Sequence, residues 1–394
     1  MAVSYIDQIN VSGKRVFIRA DFNVPLDENQ AITDDTRISA TIPTLKYVLD
    51  NGGAVVAASH LGRPKGKPNP DMSLLPVAKR LSELLGCEVQ FTDDCISDVA
   101  IQKARALEPG RVLLLENLRF YAEEEKNDTA FAEKLGAGAE VYINDAFAVS
   151  HRAHASVEAI TSVVPVCGAG FLMKKEITSF EQAMTNPERP LLAVVGGAKV
   201  SGKLEVLENL IQKVNSIVIG GAMAFTFLKA QGHEVGGSLV EEDLLETAKT
   251  ILKKAEDQGV TLLLPVDCII AEEVKAGVTV KTVHIDGIPK GWKGLDIGPE
   301  TEKAFNGEIE RAKTIVWNGP MGVFEIDEFS RGTFSIADSI ARASAMSIVG
   351  GVDSVAALAK SGNEANVSFV STAGGAFMEL MEGKTLPGIA ALDK

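Results

Sequence analysis

Cysteine is scarce in this chain: Cys87, Cys95, Cys167 and Cys268 are the only four among 394 residues, and no two form a C-x-x-C pair. That spacing excludes a zinc ribbon and a thioredoxin-type redox site, and reads as free buried thiols in a reducing compartment. No apolar run approaches the ~20 residues that span a bilayer. Residues 1–21 lack a basic stretch followed by an apolar one, so no signal peptide is expected and the protein is expected to be cytoplasmic. No Lys/Arg-rich run occurs either, and the formal net charge is −14. Such a molecule repels nucleic acid and anionic membrane, so neither is an expected partner, and the positive charges that matter must form a small site. Familiar catalytic signatures are also missing. There is no G-x-S-x-G nucleophile elbow, no H-E-x-x-H around His151 and His154, and no G-x-G-x-x-G after a strand with an acid suitably downstream. Gly197–Leu204 fits G-x-x-x-x-G-K, but Leu204 stands where a phosphate-binding P-loop needs a hydroxyl for Mg²⁺, which excludes that motif.

What is present is a folding chain with 46% hydrophobic and 23% charged residues, long enough for two or three domains. Short apolar runs at 16–20, 54–58, 112–115 and 141–144 recur in the first half. Others follow at 191–195, 216–219, 261–264, 314–317, 346–349 and 367–371. Near-continuous Val/Ile/Leu/Ala runs are what strands buried on both faces look like, as in a parallel sheet covered by helices. Between them lie amphipathic stretches. Residues 73–85 predict a helix stopped by Gly86, and 243–254 one that begins on Asp243 and ends in lysines. Residues 171–184 read as a single helix, broken by Asn186-Pro187-Glu188-Arg189-Pro190. The expected architecture is α/β, with two doubly wound (Rossmann-like) parallel-sheet domains joined by a hinge helix. The expected bounds are 1–170, hinge 171–186, 187–375, and a tail 376–394 returning to the first domain.

Polar and glycine-rich clusters fall just past the predicted strands, where open α/β sheets bind ligands. In the first half these ends carry Asp21, Asn23, His60, Arg63, Glu116, Arg119 and Asp145, and Arg37, Arg152, His151 and His154 also stand out. Arginine forks match carboxylate and phosphate oxygens, so several arginines in an acidic protein point to a compact anion. Taken alone, each arginine reads more simply as a surface residue, and His154 as a hydrogen-bonded structural histidine. Glu123-Glu124-Glu125 reads as a solvated face. In the second half the strand ends are glycine-rich: Gly196-Gly197-Ala198-Lys199, Gly220-Gly221, Asn318-Gly319-Pro320, Gly350–Ser354 and Thr372–Gly375. Glycine lets backbone approach a ligand, and its N–H groups can cradle phosphate, which points to a nucleotide domain.

The segments RVFIRADFNVPLD, SHLGRPKG, LLLENLRFY, SHRAHAS, GGAKVSGKLEVLENL and VWNGPMGVFE occur here in this order. Together with GGVDSVAAL and STAGGAFMEL, they resemble the phosphoglycerate kinase family over essentially the whole chain. The resemblance implies a glycolytic enzyme that moves a phosphoryl group reversibly between 1,3-bisphosphoglycerate and Mg-ADP, giving 3-phosphoglycerate and Mg-ATP. It implies that Asp21, Asn23, Arg37, His60, Arg63, Arg119 and Arg152 bind phosphoglycerate. Gly196, Gly197, Gly220, Gly221, Asn318 and Pro320 would line the nucleotide path, and Glu325 would reach the ribose. Gly351, Val352, Asp353 and Ser354 would meet the phosphates, with Asp353 ligating Mg²⁺. Arg37, Lys199, Lys203 and Gly374 would surround the transferring group. A monomer is expected from the same resemblance, and so is a hinge around 171–184 and 371–376. Two departures stand out: the family's Gly-Gly-Gly-Asp reads Gly350-Gly351-Val352-Asp353, and its third glycine after Gly374-Gly375 is Ala376. A carboxylate acceptor is already ionised at neutral pH, so neither Asp21 nor Asp145 is expected to act as a base. Two rivals remain at this stage. One is a two-lobed binder of an anionic metabolite, which should ignore Mg-ADP. The other is a different acid or sugar kinase, which an assay with acetate or hexose in place of 3-phosphoglycerate would reveal.

Overall fold

A computed structural model describes residues 3–393. Met1, Ala2 and Lys394, at the ends of the expected first domain and tail, lie outside them. The chain forms two compact units, Met1–Ile177 with Thr385–Lys394, and Thr178–Lys384. Among the described residues no helix is long and apolar enough to cross a membrane, and none of the four cysteines is in a disulfide.

The first unit is built on six strands: β1 Arg15–Ala20, β2 Ala54–Ala58, β3 Val89–Phe91, β4 Val112–Leu114, β5 Val141–Asp145 and β6 Val166–Ala169. They lie in the order β3-β4-β2-β1-β5-β6, every pairing parallel. Val16 faces Val55 on one side and Val141 on the other. β2, β4 and β5 are buried along their whole length, which is why they read as unbroken apolar runs. Val16, Ile18, Val55, Val77, Leu81 and Val112 meet in one core, each side chain contributing roughly 1.5–3 kcal/mol by leaving water.

The second unit repeats the plan with β7 Leu191–Val195, β8 Ser216–Ile219 and β9 Thr261–Leu263, then β13 Thr314–Asn318, β14 Met346–Gly350 and β15 Phe369–Ser371. Their order is β15-β14-β13-β7-β8-β9, again parallel throughout. Between β9 and β13 the chain adds a three-stranded antiparallel sheet that the sequence reading did not anticipate. It comprises β10 Asp267–Ala271, β11 Lys281–His284 and β12 Lys293–Ile297, in the order β11-β10-β12. β11 is largely exposed, and β12 carries Gly294 because the Phe225 ring lies where a Cβ would go, so neither shows a clean apolar pattern.

Two expected helix starts shift. The first helix runs Leu75–Leu85 rather than from residue 73, and it ends on Gly86 in the left-handed region (φ 69°). The Ser73 hydroxyl is drawn to Glu116 (2.6 Å), and Pro76 occupies the first turn. Asp243 lies within a 3-10 turn, Glu242–Leu244, and the α-helix proper is Leu245–Asp257. The helix Phe171–Met184 is continuous and passes from one unit into the other. In the first unit it is held by Phe171 N to Thr44 Oγ1 (2.9 Å), Met173 N to Asp145 Oδ1 (3.2 Å) and an edge-on Tyr47–Phe171 ring pair. In the second unit Phe180 packs edge-on against Phe377. Gly374–Met381 is a helix of the second unit, whereas residues from Thr385 on belong to the first. There Gly388 N donates to Ser150 O (2.8 Å), and a Cβ on Gly388 would press on Ser150 and Val157.

Candidate functional site

In the first unit the predicted residues gather at the carboxyl ends of β1, β2 and β4. Arg37 Nη1 pairs with Asp21 Oδ2 at 2.6 Å, which aims a half-exposed guanidinium across the end of β1. Asn23 Oδ1 accepts from Gly62 N (2.8 Å), tying the end of β1 to the loop after β2. The Gly62 carbonyl accepts from Arg119 Nη1 at 3.0 Å. Arg119 is only 4% exposed, and its Nε and Nη2 make no hydrogen bond, although Nε lies 3.5 Å from Glu125 Oε1. Buried donors left open on a cation mark a place made for an anion. Burial, reinforced by the nearby Arg19, brings the Arg119 pKa down to about 10. Arg152 Nε donates to His151 Nε2 at 3.1 Å, and its charge acts on both Arg119 and His154. His60 is buried and held well below its ordinary pKa, first by burial and then by Arg19, Arg119 and Arg37. Burial likewise brings His154 down to about 3. Both imidazoles are therefore neutral at pH 7. The contacts that tie these groups together do not include Arg63, which stands exposed on the loop after Gly62.

Three residues beneath this cluster escaped the sequence reading. Arg19 is fully buried within β1, and its Nε donates to Ser156 Oγ at 2.8 Å. Ser156 in turn donates to Glu124 from both Oγ (2.6 Å) and N (2.9 Å). Glu123 and Glu125 are exposed, but Glu124 is completely buried, which corrects the reading of that run as a solvated face. Its carboxylate serves as counter-charge beneath a positive cluster. An arginine inside a strand buried on both faces was the available signal, because such a charge must find partners.

The second unit carries two adjoining cavities at the ends of β7, β8, β13 and β14. One, of about 340 Å³, lies between Gly197, Gly221 and Pro320 on one side and Leu239, Val274 and Glu325 on the other. It is mostly apolar and suits a flat heterocycle, with the exposed Glu325 carboxylate placed to accept from hydroxyls. The other, of about 260 Å³, is bounded by Lys203, Asn318, Gly351, Asp353 and Gly374, which bring charged groups and backbone amides to it. Asp353 borders both.

The glycines do a different job from the one expected. The amides of Gly196, Gly197, Gly220 and Gly221 donate to Asn318 O, Pro320 O, Val195 O and Met321 O. A Cβ at Gly221 would meet Gly197 O at 2.5 Å, and one at Gly319 would strike the Gly196 backbone. These residues let three strand-end turns pack backbone against backbone; Gly197 and Gly221 also line the apolar cavity, but the N–H groups of the set are already taken and not available to a phosphate. The open donors belong instead to helix starts. Gly351 (φ 96°) caps the helix Val352–Lys360, and Gly374 begins the helix Gly374–Met381, both at the smaller cavity. First-turn amides lack helix partners and face a positive macrodipole end. Lys203 adds charge; burial lowers its pKa to about 8, against the opposing pull of Asp353 and Glu382.

Ser354 is buried, and its Oγ accepts from Gly319 N (2.6 Å), so it braces one turn on another. Asn318 Nδ2 bonds Gly350 O (2.7 Å), while its Oδ1 is buried without a partner. Gly220 abuts Met321 behind the apolar cavity rather than lining it. Lys199 is exposed, lines neither cavity and influences Glu241 instead. Ala376 is fully buried, away from solvent, whereas Val352 is 77% exposed, and a Cβ on Gly374 would come within 3.3 Å of its Cγ2. Asp296, not anticipated, shapes the cavity wall by accepting from Gly332 N (2.7 Å) and Ile297 N (2.9 Å), and burial pushes its pKa up to about 8. Among the described residues no group of three or more His, Cys, Asp or Glu could hold a metal ion. Asp353 as a single carboxylate beside a phosphate-sized space fits Mg²⁺, which keeps waters and phosphate oxygens as its other ligands. A further cavity, of about 660 Å³ near Asp34 and Lys79, holds none of the predicted residues, and its Arg80 is already paired with Asp35 and Glu83.

A buried arginine cluster at the strand ends of one parallel-sheet unit, and adjoining cavities beside helix starts at the strand ends of the other, are features of the class of α/β phosphotransferases with a nucleotide as one substrate. The family model described as phosphoglycerate kinase matches residues 6–384. Phosphoglycerate kinase of Geobacter metallireducens is 58% identical over 395 residues, covering 100% of this chain and 99% of the other. That of Geobacter sp. strain M21 is 56% identical over 394 residues, with coverage of 100% and 99%. The structure of phosphoglycerate kinase from Coxiella burnetii superposes with a TM-score of 0.95 at 42% identity, covering 99% of each chain. The one from Pyrococcus horikoshii OT3 gives 0.81 at 32% identity, with coverage of 99% and 98%. The chain belongs to the phosphoglycerate kinase family. It is a glycolytic phosphotransferase with a carboxyl group as acceptor, acting on phosphoglycerate and ATP/ADP.

Proposed function

We propose that the first unit binds 3-phosphoglycerate and 1,3-bisphosphoglycerate, that the second binds Mg-ADP and Mg-ATP, and that the phosphoryl group passes directly between them. The observation that carries this reading is Arg119, a buried cation with two donors left open amid Arg37, Arg152 and His60. In this reading Arg37, Arg119 and Arg152 hold phosphate and carboxylate oxygens, and Asp21, Asn23 and neutral His60 orient the glycerate hydroxyl. Arg63, exposed, contributes charge from the rim. Gly197, Gly221, Pro320 and Glu325 enclose the nucleoside, Gly220 supports them from behind, and Asn318 and Ser354 brace the phosphate turn. The amides of Gly351, Val352, Asp353 and Gly374, with Lys203, neutralise the phosphates. Bound Mg²⁺, held by Asp353, would supply further charge neutralisation across the phosphate oxygens.

Phosphoryl transfer asks the protein for position and charge rather than for covalent chemistry, and a carboxylate nucleophile needs no proton removed. Arg37 and Lys203 therefore carry more of the transition-state charge than Lys199 in this account. Lys199 joins them only if its exposed loop moves. Closure about the helix Phe171–Met184 would exclude water during transfer. A cytoplasmic compartment, in keeping with four cysteines outside any disulfide, and the monomer that the family resemblance implies complete the reading. A coupled assay with 3-phosphoglycerate and ATP, against acetate and hexose, tests it. Turnover with either alternative acceptor and none with 3-phosphoglycerate would refute it.

A further inference from the structure

We infer that Glu124, acting through Ser156 and Arg19, fixes the tautomer of His60, so that the ring offers a neutral Nε2–H to the substrate. Glu124 is then a positioning residue that touches no substrate itself, and the inference rests on the proposed substrate site of the first unit.

The chain of donors and acceptors runs one way. Glu124 Oε2 accepts from Ser156 N (2.9 Å) and Oε1 from Ser156 Oγ (2.6 Å). With its proton given to the carboxylate, Ser156 Oγ presents lone pairs, and Arg19 Nε donates into them at 2.8 Å. Arg19 Nη1 is taken by Ala20 O, which sets the plane of the guanidinium. Its remaining edge puts Nη2 3.3 Å from His60 Nδ1. A guanidinium has donors only and does not lose its proton in proteins, so Nδ1 must accept. A neutral imidazole whose Nδ1 accepts carries its hydrogen on Nε2. His60 is neutral for the reasons already given, burial and surrounding positive charge.

The network is dry and closed: Arg19, Glu124 and Ser156 are each 0% exposed, and His60 is 4% exposed. Such a network has high stakes, because one missing partner leaves a buried charge unanswered. His154 Nδ1 stands 3.9 Å from Glu124 Oε1, so the same carboxylate also faces a second imidazole of the cluster. The arrangement does something a protonated histidine could not. It gives a hydrogen-bond donor to a polyanion's hydroxyl without a further net charge that would hold product back.

The test reads the tautomer directly. Imidazole ¹⁵N shifts of His60 in the free, full-length enzyme should show a single Nε2–H form. Ser156→Ala removes the link between Glu124 and Arg19; the His60 ¹⁵N pair should move, and KM for 3-phosphoglycerate should rise about tenfold, the worth of one well-placed neutral hydrogen bond. KM for ATP should stay as it was. Ser156→Thr, which restores the hydroxyl, should recover both signals. Should Ser156→Ala not fold, Glu124→Gln removes only the charge at nearly constant shape and should produce the same two changes. Unchanged ¹⁵N shifts in these variants, whatever happens to Tm, would overturn the relay, as would an Nδ1–H signal in the parent protein. If 3-phosphoglycerate leaves the His60 signals of the parent untouched, the substrate-site assignment itself fails, which is a separate result.

Discussion

Replacing Asp145 with asparagine should stabilise this protein above pH 7 and do progressively less as the pH falls. Asp145 ends β5, is fully buried, and accepts from Met173 N in the first turn of the helix Phe171–Met184. Thr44 and the Leu172 amide also bond it, but burial outweighs all three and raises its pKa to about 7. Its Oδ2 has no partner. In the unfolded chain an aspartate titrates near 3.9. Below that pH both states hold the proton, and burial costs nothing through ionisation. Between about 4 and about 7 the folded state keeps a proton that the unfolded state has released. Stability therefore falls with rising pH by about 1.4 kcal/mol per unit. The whole penalty, some three pH units, comes to about 4 kcal/mol and is constant above pH 7. Asparagine has no such titration, and its Oδ1 can keep the bonds from Met173 and Thr44. Urea unfolding of both proteins by circular dichroism at pH 5 and pH 8 isolates the effect, since every other titration cancels in the difference. The stability difference should change by about 3 kcal/mol across that interval, in favour of the variant at pH 8. Parallel pH curves would refute the assignment and mean that Asp145 is ionised and satisfied in the fold.

Further outcomes follow from the two sites. Lys203, with its pKa lowered to about 8 by burial, is charged below that pH and loses its proton above it. Calorimetry should then show ADP affinity declining above about pH 8, and Lys203→Met should bind weakly with no such decline. Arg119→Met should raise KM for 3-phosphoglycerate at least roughly a hundredfold, two charge-assisted bonds being worth about 3 kcal/mol or more, with KM for ATP unchanged. Arg37→Ala should lower kcat by about 10²-fold or more in steady-state assays, as expected for an arginine that meets the transferring group, and an unchanged kcat removes it from that role. Val352→Gly should tighten Mg-ADP binding a fewfold by clearing an exposed isopropyl group from the mouth of the phosphate cavity; an equal or weaker Kd rules out crowding there.

Most strands of both parallel sheets were legible because burial on two faces leaves an unmistakable composition. β2, β7 and β8 run over the same residues in sequence and structure. β3 and β6 are short, and β6 begins on two residues that are not buried, so neither gives an apolar run to detect. β10–β12 form an antiparallel sheet with one strand largely exposed, and there composition carries little information. Residues past the strand ends were legible as a set because their chemistry is out of place in ordinary turns. Their individual jobs were not. Gly197 and Gly221 look like phosphate-cradling glycines, yet their amides serve turn-to-turn packing, a fact fixed by neighbours far away in sequence. Glu124, between two exposed glutamates, differs from them only in the three-dimensional direction it faces.

In the proposed assignment of substrates, the two units would hold an anion by different means, and the ligands would explain why. A phosphoglycerate brings several negative charges on a small frame and no cation of its own. Side-chain cations must neutralise it, and enough of them crowd together that each lowers its neighbours' pKa, as with Arg119, His60 and His154. Left alone, such a cluster would unfold its own scaffold or bind product too tightly. A buried carboxylate beneath it, Glu124, offsets part of that repulsion without competing for the ligand, because it is sealed from the surface. A nucleotide arrives with its own metal, so much of its charge is already met. In the proposed reading, helix starts at Gly351 and Gly374 and a single lysine would then suffice, and Asp353 would face the same space because its partner would be the incoming cation.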